Sequence, residues 1–397
     1  MLEKEVSDMS KIILLHEGEL PTVEETYRCY QYLVKEYGTI ISKVNSNSIT
    51  SEEIQQCDVV LCIRGHSPIT YFVLKEARRI GKKVFYLLDD DLKDMPKGSF
   101  WFPERRKWLL KCLKECEVLF TSNKLIAEEY KDFLAQNKTV IINTSVDPKT
   151  ICSFRDTGDV IKIVMAASDW HSQNFIKYVK NAALRISEEY KDKVEWHFVG
   201  LHPDMSEFTD LSRVVYVPSM NMENYVRHMK ENKYDIGIAV LNPDHFNERK
   251  YFNKFIEYTR YGICGIYSDC MPFQLVVKDK ENGLLTQNSD EGWYEAFKLL
   301  IANPKLKKRC ILAAQDYLAT QHSEEFLMTK LIEDCKELVY FTAPKNEGIN
   351  KQMRFLWKAR QVIFRCMESI YLTFSSLSHF GIKETLFRIK RKVKHEY

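Results

Sequence analysis

The chain has 397 residues, 45% of them apolar and 28% charged, and a formal net charge of +3. A single hydrophobic core stops growing near ~250–300 residues, so this length asks for two domains, and the apolar fraction excludes wholesale disorder. The small net charge gives no ground for a nucleic-acid partner, and 11 cysteines without a Cys-x-x-Cys pair fit reduced thiols of a cytosolic protein rather than a disulfide framework or a zinc finger.

The first ten residues carry Glu3, Lys4, Glu5 and Asp8, and the first apolar run, Ile12–Leu15, is far shorter than the ~7–15 residues of a secretory signal. No leader and no membrane span is expected. Short apolar runs at Lys11–Leu15, Asp58–Ile63, Lys83–Leu88, Val118–Thr121 and Thr139–Asn143 then read as buried strands. Helix-period stretches lie between them at Val23–Tyr37, Ile69–Ile80, Arg106–Cys116 and Leu125–Leu134. Fully apolar strands alternating with helices imply a parallel sheet covered on both faces, with ligands beyond the carboxyl ends of the strands. The loops His16–Pro21, Arg64–Pro68 and Asp89–Pro96 are therefore the ones to watch.

Ile151–Asp159 has no periodicity and reads as a linker. The alternation restarts with strands at Val160–Ala166, Val194–Val199, Val214–Val217, Ile236–Val240 and Cys264–Tyr267. Helices are predicted at Gln173–Tyr190, Met222–Glu231, Tyr251–Tyr261 and Gly292–Ile301, with a further helical stretch at Glu324–Phe341. The fold class is α/β: two doubly wound, Rossmann-like domains at 1–150 and 160–322 face a cleft across a linker at 151–159. A return helix at 323–344 and a helical tail at 345–397 follow.

Chemistry concentrates in Tyr234–Leu285. A strand ends in a polar loop with Phe246 and Asn247, and the next helix is expected to present Lys250, Lys254 and Glu257 on one face, since spacings of four and three share a face. Cations and a helix N-terminus suit a diphosphate, and a carboxylate one turn on can accept from two adjacent ribose hydroxyls. A solvated Lys/Glu face is the plainer reading of the same spacing. Asp235–Gly237, Phe246–Asn247, Lys250, Lys254, Glu257–Tyr258, Gly262 and Asn282–Leu285, in that order, resemble the donor half of GT-B glycosyltransferases of the group 1, or family-4-like, type. The resemblance implies that Glu257 holds the nucleotide ribose and that Lys250 and Lys254 hold the diphosphate, with Phe246, Asn247 and Tyr258 alongside. Arg249 stands eight before Glu257, where many retaining relatives have a first glutamate.

Two further segments extend the resemblance. Lys162–Asn174, KIVMAASDWHSQN, is similar to the first strand and turn of the nucleotide domain, with Ser168 and His171 at matching positions and Ala167 and Asn174 in place of Gly and Asp. His171 as a helix cap or surface histidine is the alternative. Val84–Pro96 places Asp89, Asp90 and Asp91 at a strand end. They suit an acceptor-side role, a general base or simple capping, and a metal or other cofactor is not implied by the resemblance. His16 follows the run Lys11–Leu15, and Arg64 and His66 follow the run Asp58–Ile63; all three are expected to face the acceptor, and an exposed histidine without a role is as common. The catalytic candidates are His16 and Asp90 on the acceptor side and Lys250 at the leaving diphosphate.

Residues 345–397 carry 12 Lys and Arg against 4 Asp and Glu, interleaved with aromatic residues, while residues 1–344 carry 46 against 51, a net of −5. A basic amphipathic tail suits an anionic membrane surface at the cytoplasmic face or packing onto the first domain, and no motif supports nucleic acid. The expected activity is transfer of a sugar from a nucleotide-sugar to a glycan or lipid-linked hydroxyl. A sugar-nucleotide epimerase and a non-catalytic nucleotide-sugar-binding protein share the same architecture.

Overall fold

The structure, a computed structural model, describes residues 10–18, 20–93, 103–154, 158–204 and 213–344, together with scattered helical positions between Trp357 and Leu386. The first domain runs β1 (Lys11–His16), α1 (Pro21–Tyr37), β2 (Ile40–Asn45), α2 (Ser51–Gln56), β3 (Val59–Ile63), α3 (Pro68–Arg79), β4 (Lys83–Leu88), α4 (Pro103–Lys114), β5 (Val118–Thr121), α5 (Lys124–Tyr130) and β6 (Lys138–Ile141). Its six strands are all parallel in the order β2-β1-β3-β4-β5-β6. The second domain runs β7 (Ile161–Ala166), α6 (Ser172–Tyr178), α7 (Lys180–Tyr190), β8 (Val194–Val199), β9 (Val214–Val217), α8 (Met222–Glu231), β10 (Ile236–Ala239), α9 (His245–Glu248), α10 (Asn253–Arg260), β11 (Cys264–Ser268), β12 (Leu284–Thr286), α11 (Asp290–Ala302) and α12 (Pro304–Gln321). It too is a six-stranded parallel sheet, ordered β12-β11-β10-β7-β8-β9.

Every residue of β3 is buried, because helices cover both faces of the sheet. The sequence pattern does not predict β2, which is an edge strand with exposed Ser42 and Lys43 in place of an apolar run. It also misses α2, one short helix held by a Thr50–Glu53 capping box, and the three-residue β12 and the whole of α12. The single helix expected over Gln173–Tyr190 is two, α6 and α7, divided at Val179.

One device recurs in both domains. Asp58, just before β3, accepts from the Lys11 N–H at the start of β1 (2.9 Å) and from the Ala343 N–H (2.8 Å). Asp235, just before β10, accepts from the Lys162 N–H in β7 (3.0 Å) and from the Lys307 ammonium on α12 (2.7 Å). In each sheet a buried carboxylate ties two neighbouring strands to a later segment of chain. The Asp235 and Lys307 side chains are 0% and 4% exposed.

After α12 the chain crosses back at His322, whose carbonyl accepts from the Val146 N–H (2.8 Å). α13 (Glu324–Asp334) and α14 (Glu337–Tyr340) then pack on the first sheet. Leu327, Leu331 and Leu338 share one core with Ile12, Leu14 and Val23. The tail begins on the same domain: Trp357 is buried against Phe72, and its indole N–H and the Gln361 amide both donate to the Ile49 carbonyl (3.1 and 2.7 Å). Farther on, Ile363, Ile370 and Phe374 are exposed. Much of residues 345–397 lies outside the described residues.

Removing one partner of a buried ion pair strands the other charge in low dielectric. Asp235→Ala is therefore expected to cost about 3–5 kcal/mol, read as a lower urea midpoint, and Asp235→Ala with Lys307→Met to recover most of it.

Candidate active site

The carboxyl ends of the two sheets meet across a cleft. On the first domain, β1, β3 and β4 deliver the loops at His16, Arg64 and Asp89. Glu17 lies half-buried beneath them. Its carboxylate accepts from the N–H groups of His66 (2.7 Å) and Ser67 (2.8 Å) and from the Thr70 hydroxyl (2.7 Å), at the start of α3. Burial raises its pKa, but His66 and these donors outweigh burial and hold the carboxyl below its ordinary range. His66 is fixed in turn: Nδ1 lies 2.7 Å from the Arg64 carbonyl and Nε2 2.9 Å from the Arg105 guanidinium. Between them Gly65 is obligatory, because a Cβ there would stand 2.4 Å from Cys62 Sγ and Thr70 Cγ2. Arg64 itself sits at φ +51°, a conformation that L-residues rarely adopt. Its side chain points at the aspartates.

Asp89, Asp90 and Asp91 take three different directions. Asp89 accepts from Arg64 Nε and from the Thr22 hydroxyl at the start of α1 (2.8 Å). Asp90 accepts from Arg64 Nη2 (2.7 Å) and keeps 34% of its side chain exposed toward the cleft. Burial, then the Asp89 charge, raise its pKa to about 6 against the pull of Arg64 and Lys250. Asp91 corrects the sequence reading. Its side chain is 0% exposed, accepts from the Tyr130 hydroxyl (2.6 Å) and lies 3.5 Å from Arg249 Nε, so it faces the other domain rather than an acceptor. His16 is also held locally, with Nδ1 2.9 Å from the Gly18 carbonyl.

On the second domain the expected Lys–Lys–Glu helix face is broken. Lys250 is not on α10; it lies in the turn between α9 and α10, with its ammonium 5.1 Å from the Phe246 ring centre. Burial lowers its pKa to about 8, although Asp90 and Asp244 pull the other way. The Asp90 influence runs across the cleft, so the two groups sit within electrostatic reach of each other. Lys254 and Glu257 do share the α10 face, with an N–O distance of 2.6 Å, and Glu257 also accepts from the Tyr225 hydroxyl of α8. Tyr225 was not foreseen; nothing in the local spacing of α8 points from residue 225 to residue 257.

His171, at the start of α6, has its pKa lowered to about 4 by burial and by the charges of Lys250 and Lys254. It thus belongs to the same electrostatic group. Ser168 is exposed at the end of β7. An open cleft of about 490 Å³ adjoins them, lined by Asn174, Lys177, Asn242, Asp244, Phe246 and Asn247.

Two donor-side expectations are corrected. Tyr258 is fully buried: its hydroxyl donates to the Ile238 carbonyl (2.9 Å), and its ring fills the space that a Cβ at Gly237 would need, 2.6 Å away. It packs the sheet and cannot touch a ligand. Asn247 is 4% exposed and its amide donates to Asp244 (2.8 Å), so it borders the cleft mainly as a brace of the loop. Arg249, at the position of the missing glutamate, buries its guanidinium between Asp91 and Glu129 of the first domain. Beside it, the Asn123 amide donates to the carbonyls of Glu248 (3.0 Å) and Lys250 (3.2 Å). The Lys250 turn is therefore gripped by the opposite domain. Among the described residues no group of three or more His, Cys, Asp or Glu has the geometry to hold a metal ion.

Neither a protein-family model nor a curated protein matches the sequence. Solved structures match its fold. The fold is similar to Anabaena HepE in complex with UDP and glucose, at 10% identity and a TM-score of 0.61 over 83% of this chain and 100% of that one. It is similar to a glycosyltransferase from Rickettsia africae, at 15% identity and a TM-score of 0.57 over 83% and 98%. It is similar also to sucrose-phosphate synthase from Thermosynechococcus elongatus, at 10% identity and a TM-score of 0.58 over 83% and 99%. With its two facing parallel sheets and its chain return to the first domain, this protein has the GT-B glycosyltransferase fold.

Proposed function

We propose that this chain transfers a sugar from a nucleotide-sugar to an acceptor hydroxyl, in the assembly of a surface polysaccharide or glycolipid. The observation that carries the reading is the facing pair of charge clusters. Lys250, Lys254, Glu257 and His171 lie at the carboxyl end of one sheet, and Arg64 and Asp90 at that of the other. Binding of UDP-glucose by HepE supports a nucleotide-sugar as donor.

In this reading Glu257 accepts from the ribose hydroxyls, and Lys254 and Lys250 meet the diphosphate. Asp90 takes the proton of the acceptor hydroxyl as its oxygen attacks the anomeric carbon. The bond from that carbon to the diphosphate oxygen breaks, and its electron pair leaves on the nucleotide, where the two ammonium groups oppose the developing charge. Arg64 positions Asp90. Protein groups, not water, surround the reacting atoms when the cleft is filled, which limits hydrolysis.

The tail supports a lipid-linked acceptor. Ile363, Ile370 and Phe374, seven and four residues apart, fall on one helical face and are 55%, 58% and 69% exposed. Trp357 and Gln361 dock the same segment on the acceptor-side domain. Apolar side chains among 12 basic residues match the boundary of an anionic bilayer.

Three outcomes test this. Calorimetric titration with UDP and GDP is expected to find one of them bound, and Glu257→Ala to weaken it by about tenfold or more; binding of neither nucleotide sinks the donor site. The kcat/KM of the wild type is expected to rise through pH 6 as Asp90 ionises and to fall through pH 8 as Lys250 loses its proton. Asp90→Asn then abolishes turnover while nucleotide binding persists. Sedimentation with phosphatidylglycerol vesicles is expected to carry the full chain down, unlike phosphatidylcholine vesicles, and Ile370→Glu with Phe374→Glu to reduce it.

A further inference from the structure

Glu257 does not stand alone on its helix. Tyr225, on α8, donates its hydroxyl to Oε1, and Lys254, one turn before on α10, places Nζ 2.6 Å from Oε2. The same Nζ lies 3.5 Å from the Tyr225 oxygen and over the rings of Tyr225 and Tyr258, at 5.7 and 5.8 Å. Each carboxylate oxygen therefore has one internal donor. A carboxylate offers about four lone-pair sites, so one on each oxygen remains. The Glu257 side chain is 19% exposed, so it is not sealed off from an incoming ligand. Two acceptor sites side by side in one plane match a pair of vicinal hydroxyls, as on a ribose, and do not match an isolated hydroxyl.

The two internal donors are not equivalent. Lys254 carries the charge that a diphosphate attracts, so an arriving nucleotide competes for its ammonium. Tyr225 is neutral and has no such second demand. Burial and the Glu257 charge push its phenol well above the ordinary tyrosine range, so it stays a donor throughout the working pH. Once Lys254 turns toward phosphate, the Tyr225 hydroxyl is what keeps the Glu257 carboxylate in its plane.

We propose that Tyr225 is a positioning residue that sets ribose specificity: it holds Glu257 so that both oxygens accept from the 2′ and 3′ hydroxyls of the nucleotide. This rests on the donor-site reading above. The test is calorimetric titration of UDP and 2′-deoxy-UDP, with GDP and 2′-deoxy-GDP in parallel, into the full chain, Tyr225→Phe and Glu257→Gln, each with its unliganded melting temperature recorded. The wild type is expected to prefer the ribonucleotide by about tenfold or more, and Tyr225→Phe to bring that ratio within about threefold by weakening only the ribonucleotide. Glu257→Gln is expected to do the same. A Tyr225→Phe protein that keeps the full ratio, or that loses both nucleotides equally, overturns the proposal and leaves the donor site standing. A wild type that binds UDP without a ribose preference also overturns it, and one that binds none of the four overturns the donor site with it.

Discussion

Asp89, Asp90 and Asp91 put three carboxylates on consecutive residues, and like charges a few ångströms apart repel by several kcal/mol once water is displaced. The chain disperses them. Asp89 goes to Thr22 and Arg64, Asp90 to Arg64 with one side open, and Asp91 to Tyr130 and Arg249. Each direction has a structural effect: the first fixes the start of α1 against β4, the second presents a carboxylate to the cleft, and the third joins the two domains. The position of Lys250 follows from the third, because Arg249 and the carbonyls on either side of it are held by Asp91, Glu129 and Asn123. Arg249 is thus an interdomain anchor where a donor-side carboxylate was the natural expectation.

The second sheet shows how much backbone contact such a site requires. Tyr258 lies against Gly237 and bonds the Ile238 carbonyl, which locks α10 onto β10 and sets the height of Lys254 and Glu257 above the strand ends. The buried Asp235–Lys307 pair fixes the opposite end of the same strand to α12. A side chain on α10 is therefore located by the contact of its helix with β10, a strand that is itself braced against α12.

The alternation of apolar strands and helices was legible because buried parallel strands need continuous apolar runs, as in β3 and β4. β2 was not, since an edge strand tolerates Lys43. At the site, Lys254 and Glu257 could be paired from spacing alone, because three residues on a helix is a contact distance. Lys250 could not be placed, since the turn at Arg249 depends on Asp91, 158 positions earlier in the chain. Tyr258 matched a motif for a reason the motif does not state, which is packing against a glycine. Glu17 and Tyr225 were missed because their partners, at positions 66–70 and 257, are remote in sequence, and only the topology brings them together.

The return of α13 and α14 to the first sheet bears on how the protein is made. Residues Leu327–Val339 complete the core that begins at Ile12. During synthesis at ~5–20 residues per second, that half waits some tens of seconds for its last helices. The second domain, whose core draws mostly on its own span, can close meanwhile. The nascent first domain emerges with the part of one apolar sheet face that α13 and α14 will cover still exposed, and it is the half with the greater claim on a chaperone.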